Sequence, residues 1–400
     1  MSGPAVYWVE TRNRERDLSR NENPMNHHAS IGRFLSTAVL CGTVVAACAT
    51  GTGSSTGSGS TSPRPSSGDA PQPDQGWSTA TREYVDLWLH GFALLTSDTA
   101  RVPYFQRGYR QRMLDLKRQR NVLTALDANR DKLSARFTTN PGLVNAQFVA
   151  MYFPSFEAIS NATSFFLQAE GDPRRASDPT VQAEIALLAA NFPTPADRDW
   201  LRLYVQGLQD ESNKFYHAYW TTEQQNRAAA RAALESSWRS TYYQKFRRFL
   251  NNTQQAAGEL MLSLPLDGEG RTISDGKRAN AVAVAFPLTA ATSSEALYVF
   301  AHEVVGKVAE TAISDNVTPA ERRTGVVSSY TANAAVRGGA MLLQRIAPEL
   351  VAGYMRYYLA SAGSNATATD PTAAFNATFS LPDTIRESLA RQIELVLGGI

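Results

Sequence analysis

The sequence predicts a mainly α domain of the α+β class, with one small antiparallel sheet. Three observations lead there. Long tracts carry apolar residues at helical spacing, several helix starts are marked by a hydroxyl residue and a proline, and one short stretch after Gly258 alternates instead.

Thr79 to Leu95 places Tyr84, Leu87, Trp88 and Leu95 on one helical face, and Tyr109 to Ala128 is a charged helix with Met113, Leu116, Leu123 and Leu126. Thr194-Pro195-Ala196-Asp197 opens a helix with Trp200, Leu201, Tyr204 and Leu208, because threonine caps free amides and proline suits the first turn. Thr222 to Gln255 forms one long helix or two, with Leu234, Trp238, Tyr242, Phe246, Phe249 and Leu250 as its inward stripe. The period changes after Gly258. Leu260, Leu262, Leu264 and Leu266 alternate, Asp267-Gly268-Glu269-Gly270 and Asp275-Gly276 are turn chemistry, and Val282, Val284 and Phe286 alternate again, giving two or three strands. A helix is expected from about Ser293 to Ser314, another tract over Val326 to Leu359, a loop over Ser361 to Ala377, and a last helix from Pro382 to Leu397.

The first 76 residues have a different character. Residues 1–24 mix four arginines with four acids and contain no apolar stretch, so translation is expected to begin at Met25. Asn26, His27, His28 and Arg33 then precede an apolar run from Phe34 to Val45 and the small pair Ala46-Ala47, the tripartite pattern of an export signal. Val45-Ala46-Ala47-Cys48 resembles the lipobox of bacterial lipoproteins, which implies cleavage before Cys48 and lipidation of that cysteine. The competing membrane-spanning reading has only Ile31 to Ala47 available, at the short end of the ~17 to 25 residues a bilayer needs. From Ala49 to Gly76 the chain is almost wholly Gly, Ser, Thr, Pro, Ala, Asp and Gln, which cannot bury enough apolar surface to offset its conformational entropy. The expected organisation is therefore 1–47 extension and signal peptide, 48–76 lipidated linker, 77–257 helical half, and 258–400 sheet and helices. The implied location is the cell envelope, anchored through lipid and facing the periplasm or exterior, with a peptide or an envelope protein as partner.

Beyond residue 47 the chain has 34 basic and 33 acidic residues without a basic stripe, which argues against nucleic acid. The chain's only other cysteine, Cys41, is expected to leave with the signal, so the domain has no disulfide and must be held by its core. Neither a Gly-x-Ser-x-Gly elbow nor a phosphate loop stands between a strand and a helix.

One motif carries chemistry: Ala301-His302-Glu303-Val304-Val305-Gly306. Leu297, Phe300, Ala301, Val304 and Val308 form the buried stripe, so Val299, His302 and Glu303 are expected to face the other way, toward solvent or a cleft. An edge strand followed by a helix bearing His-Glu resembles the zincin metallopeptidases over residues 258 to 350. The resemblance implies a zinc cofactor, His302 as metal ligand, Glu303 as general base, and a cleft between two helical halves. The sequence departs from the family pattern at Gly306, which stands where the second histidine belongs. Replacement ligands are sought among His90, His217, Tyr298 and the gluzincin-like Glu321 or Glu349, although Thr318-Pro319-Ala320-Glu321 is also a capping box and Glu349 follows Pro348 at another helix start. Glu295 and Glu310 lie about 10 and 12 Å along the helix from His302, too far to share an ion with it. A metal site therefore requires a ligand atom from elsewhere within about 4 Å of His302. The rival reading is a non-catalytic envelope lipoprotein that kept the scaffold for binding or assembly. Arg337-Gly338-Gly339-Ala340 interrupts a helical pattern at a cost of about 1 kcal/mol per glycine, which predicts a close backbone approach to the His302 helix, with Arg337 placed to pair with Glu303 or Glu310.

Overall fold

The computed structural model describes residues 76–275, 279–367 and 369–398. The expected signal peptide, Cys48 and the expected linker before Gly76 lie outside the described residues. Helices dominate, arranged around one four-stranded sheet, in agreement with the mainly α, α+β class. The sheet itself is mixed rather than antiparallel. Strands β1 (Trp77–Thr81), β2 (Gly258–Ser263), β3 (Arg271–Asp275) and β4 (Ala279–Ala285) lie in the order β1-β2-β4-β3, with β1–β2 and β2–β4 parallel and β3–β4 antiparallel.

The unexpected strand is β1, where a helix starting at Thr79 was predicted; that helix begins at Glu83. Parallel neighbours need a long crossover. Between Thr81 and Gly258 that crossover is the whole helical tract, so the sheet joins the two halves of the domain.

Successive strand residues point to opposite faces, and here both faces are covered. Leu260, Leu262, Val282 and Val284 face one core, built with Trp238, Phe246, Phe249 and the helices that follow β4. Met261 and Ala283 face the other, built from the helices of residues 83–216 with Trp88, Phe92, Trp200 and Tyr204. The result is a helix, sheet, helix layering with an apolar core on each side. In the first core Phe300 makes edge contacts with Trp77, Trp238 and Phe246 at ring distances of 5.2, 5.0 and 5.2 Å. Such pairs each add about 0.5–1.5 kcal/mol beyond their buried area.

Local signals were reliable. Thr194 caps its helix as expected, in a capping box with Asp197, and Thr318 and Glu321 form the expected capping box. The charged helix predicted from Tyr109 is shorter, ending at Gln119, because Asn121 takes a left-handed conformation at φ 52° and leaves Leu123 exposed. The His302 helix covers Glu295–Val304 and breaks at Val305, after which Gly306–Asn316 forms a separate helix. A short helix, Pro371–Thr378, lies within the tract expected as loop. Among the described residues no helix is long and apolar enough to cross a membrane.

Candidate functional site

His302 does not face solvent or an open cleft. Its helix is enclosed by β4, by the helix Val327–Ile346 and by the helix Val351–Ser361, so Val299 is fully buried and the His302 side chain is only 3% exposed. The expectation of a single buried stripe fails because packing covers more than one face of this helix.

The segment between β2 and β3 forms the facing wall. Its backbone is tied to residues 103–106, with Gln106 N donating to Pro265 O, Asp267 N to Tyr104 O and Glu269 N to Pro103 O at 3.0, 2.7 and 3.1 Å. Gly268 O accepts the Tyr358 hydroxyl at 3.0 Å, and the Tyr358 ring stacks on His302 at 5.4 Å. Gly270 must be glycine: a Cβ there would lie 2.2 Å from Ala283 O and 3.1 Å from Glu303 Cγ. That close approach lets its N–H donate to Glu303 Oε1 at 3.0 Å.

These ties bring Glu269 to His302. Glu269 Oε1 is 3.7 Å from His302 Nε2, while Glu303 Oε1 is 3.2 Å from Nδ1 and Thr272 donates to Glu303 Oε2 at 3.3 Å. Among the described residues Glu269, His302 and Glu303 form a group of potential metal ligands. Glu269 was missed from the sequence because Asp-Gly-Glu-Gly looked only like a turn. Burial pushes its carboxyl up to about 7 against the pull of His302. Burial alone would lower His302, but the Glu269 and Glu303 carboxylates outweigh it and raise it. Burial would likewise raise Glu303, yet the His302 hydrogen bond, the Arg271 charge and the Gly270 amide bring it down. Burial thus favours the neutral form of Glu269, while Glu303 is held ionised beside His302.

The other candidates are engaged elsewhere. His90 is fully buried, its Nε2–H donating to Glu211 Oε1 and its Nδ1 accepting from the Tyr109 hydroxyl, both at 3.1 Å. Lys117 donates to the same Glu211 carboxylate at 2.6 and 2.9 Å and lies 2.6 Å from Asp127. Burial alone would raise Glu211, but the bond from His90 and the Lys117 charge hold it at about 2, while burial keeps His90 below its ordinary value. That cluster is a buried ion network. His217 is exposed and 2.9 Å from Glu83 Oε1. Glu321 is spent on its capping box, and Glu349 pairs with Lys245 at 2.5 Å. Tyr298 packs against Tyr354 and Tyr357. Arg337 pairs with neither Glu303 nor Glu310; it lies over the Phe375 ring at 5.9 Å.

The close approach predicted from the two glycines is present. A Cβ at Gly339 would stand 3.1 Å from the His302 backbone N and 2.3 Å from the Tyr354 hydroxyl, and one at Gly338 would stand 3.2 Å from Val305.

The donor set does not fit a catalytic zinc, which takes three protein ligands and an open position. Here two atoms are uncommitted, His302 Nε2 and a Glu269 oxygen, since Glu303 is engaged by Gly270, Thr272 and His302. Side-chain exposures of 3, 17 and 11% for His302, Glu269 and Glu303 leave little room for a substrate. Compared with known proteins, the chain matches no family model, no curated protein and no solved structure.

Proposed function

We propose that this chain is a lipid-anchored protein of the bacterial cell envelope whose domain is a non-catalytic binding or assembly module. In this reading the His302 cluster is the internal polar tie of a zincin-like scaffold and Glu303 orients an imidazole instead of activating water. The observation that carries it is the enclosure of His302 between Tyr358 and the Gly268–Gly270 segment, with Glu303 already accepting from Gly270. Val45-Ala46-Ala47-Cys48 supports the anchor.

A second reading, a metallohydrolase acting on peptides, is favoured by one feature: the buried His302 Nε2 lacks a hydrogen-bond partner and faces Glu269 at 3.7 Å. Glu269 and His302 would then hold zinc, with Glu303 orienting the ring in the manner of a carboxylate–histidine–metal triad. Metal analysis by mass spectrometry, after zinc loading and desalting, separates the two. The expected result is substoichiometric zinc in both wild type and His302→Ala. Near-stoichiometric zinc in wild type, lost in His302→Ala, would overturn the non-catalytic reading.

A further inference from the structure

The helices Val327–Ile346, Val351–Ser361, Pro371–Thr378 and Asp383–Leu397 enclose a half-open cavity of about 380 Å³. That is within the roughly 300–1,000 Å³ of small-molecule sites. Its walls are apolar where Met341, Val351, Met355, Phe375 and Ile393 meet, and Arg337 stands among them. Methionine suits a surface that adapts to a flexible ligand, because its unbranched chain repacks at little cost.

Arg337 is the unusual member. It is half-buried, and among the described residues no carboxylate or hydrogen-bond acceptor meets it; its guanidinium lies over the Phe375 ring. The other charged pair on the rim, Arg345 and Glu394, is already joined. Burial first, and the Arg386 charge second, pull the Arg337 guanidinium below its ordinary value, the opposite of what a bound anion would do. A cation withdrawn from water without a counter-ion is unfavourable, and a guanidinium fork matches a carboxylate or phosphate.

We propose that this cavity binds a single-chain anionic amphiphile, with its carboxylate or phosphate on Arg337 and its hydrocarbon chain along Met341, Met355 and Ile393. One uncompensated cation beside an apolar wall selects one charged head on an apolar body. The inference goes beyond the reading of the His302 cluster and rests on the envelope location only for the source of the ligand. Zinc in that cluster and an amphiphile in this cavity are detected separately, so either idea fails without the other.

The test is isothermal titration calorimetry on the full chain carrying Cys48→Ser, which removes the acylation site, with dodecanoate below its micellar concentration. One saturable site is expected. Arg337→Gln should weaken dodecanoate by about tenfold or more, as loss of a charge-assisted hydrogen bond does, while leaving dodecanol unchanged. Met341→Glu, at a half-exposed wall position, should abolish dodecanoate binding without altering the circular dichroism spectrum. Lauroyl lysophosphatidate in a parallel titration identifies the source: tighter binding than dodecanoate points to a lysophospholipid, weaker binding to a free fatty acid. No saturable binding of either anion, equal affinity in Arg337→Gln, or equal binding of dodecyltrimethylammonium would overturn the proposal.

Discussion

Lys117→Met is expected to lose about 3–5 kcal/mol of unfolding free energy at pH 7, the range for removing one partner of a buried ion pair. Lys117 and Glu211 are almost wholly buried, and the ammonium supplies Glu211 with two hydrogen bonds. Without it the carboxylate loses its buried counter-charge and keeps only the hydrogen bonds from His90 and Thr124. In the variant the folded-state pKa of Glu211 is therefore expected to rise from about 2, so the stability that its depressed pKa adds above the unfolded pKa shrinks and the deficit narrows in acid. Urea unfolding at pH 5 and pH 7 measures this, and Lys117→Met/Glu211→Leu should recover much of the loss. A single-variant loss below about 1 kcal/mol would mean that the network contributes little.

Gly339→Ala is expected to destabilise despite alanine's advantage of about 1 kcal/mol in a helix. The new methyl would stand 2.3 Å from the hydroxyl of fully buried Tyr354, which donates to Val336 O at 2.8 Å, and 3.1 Å from the His302 backbone N. Moving Tyr354 forfeits that bond and forces the two helices apart, for a net loss of about 1–3 kcal/mol. Gly306→Ala is the control, since nothing lies within 4 Å of a Cβ there. It should be neutral or stabilising by up to about 1 kcal/mol. The thermal unfolding midpoint should fall for Gly339→Ala and stay level or rise for Gly306→Ala, and equal shifts would mean that no close approach is lost at Gly339.

What the sequence made legible was local or carried a visible energetic penalty. Thr194 and Thr318 cap helices through residues three positions away, and Gly338-Gly339 is costly enough inside a helix to demand an explanation. What it hid was set at long range. Trp77–Thr81 is a strand only because β2 arrives beside it after the helical tract, and nothing in WSTAT announces the partner. Glu269 joins His302 only because Pro103, Tyr104 and Gln106 pin the segment that carries it. His302 looked outward because the wheel assigned one buried face to a helix that the fold covers on several.

Glu269, His302 and Glu303 tie the β2–β3 segment to the His302 helix. Urea unfolding of wild type and Glu303→Gln, each with and without zinc, tests it most directly. Glu303→Gln is expected to lose about 1–3 kcal/mol, the worth of a charged buried hydrogen bond, with zinc shifting neither midpoint. A Glu303→Gln protein as stable as wild type, together with a wild-type midpoint that rises with zinc as ligand linkage requires, would contradict it.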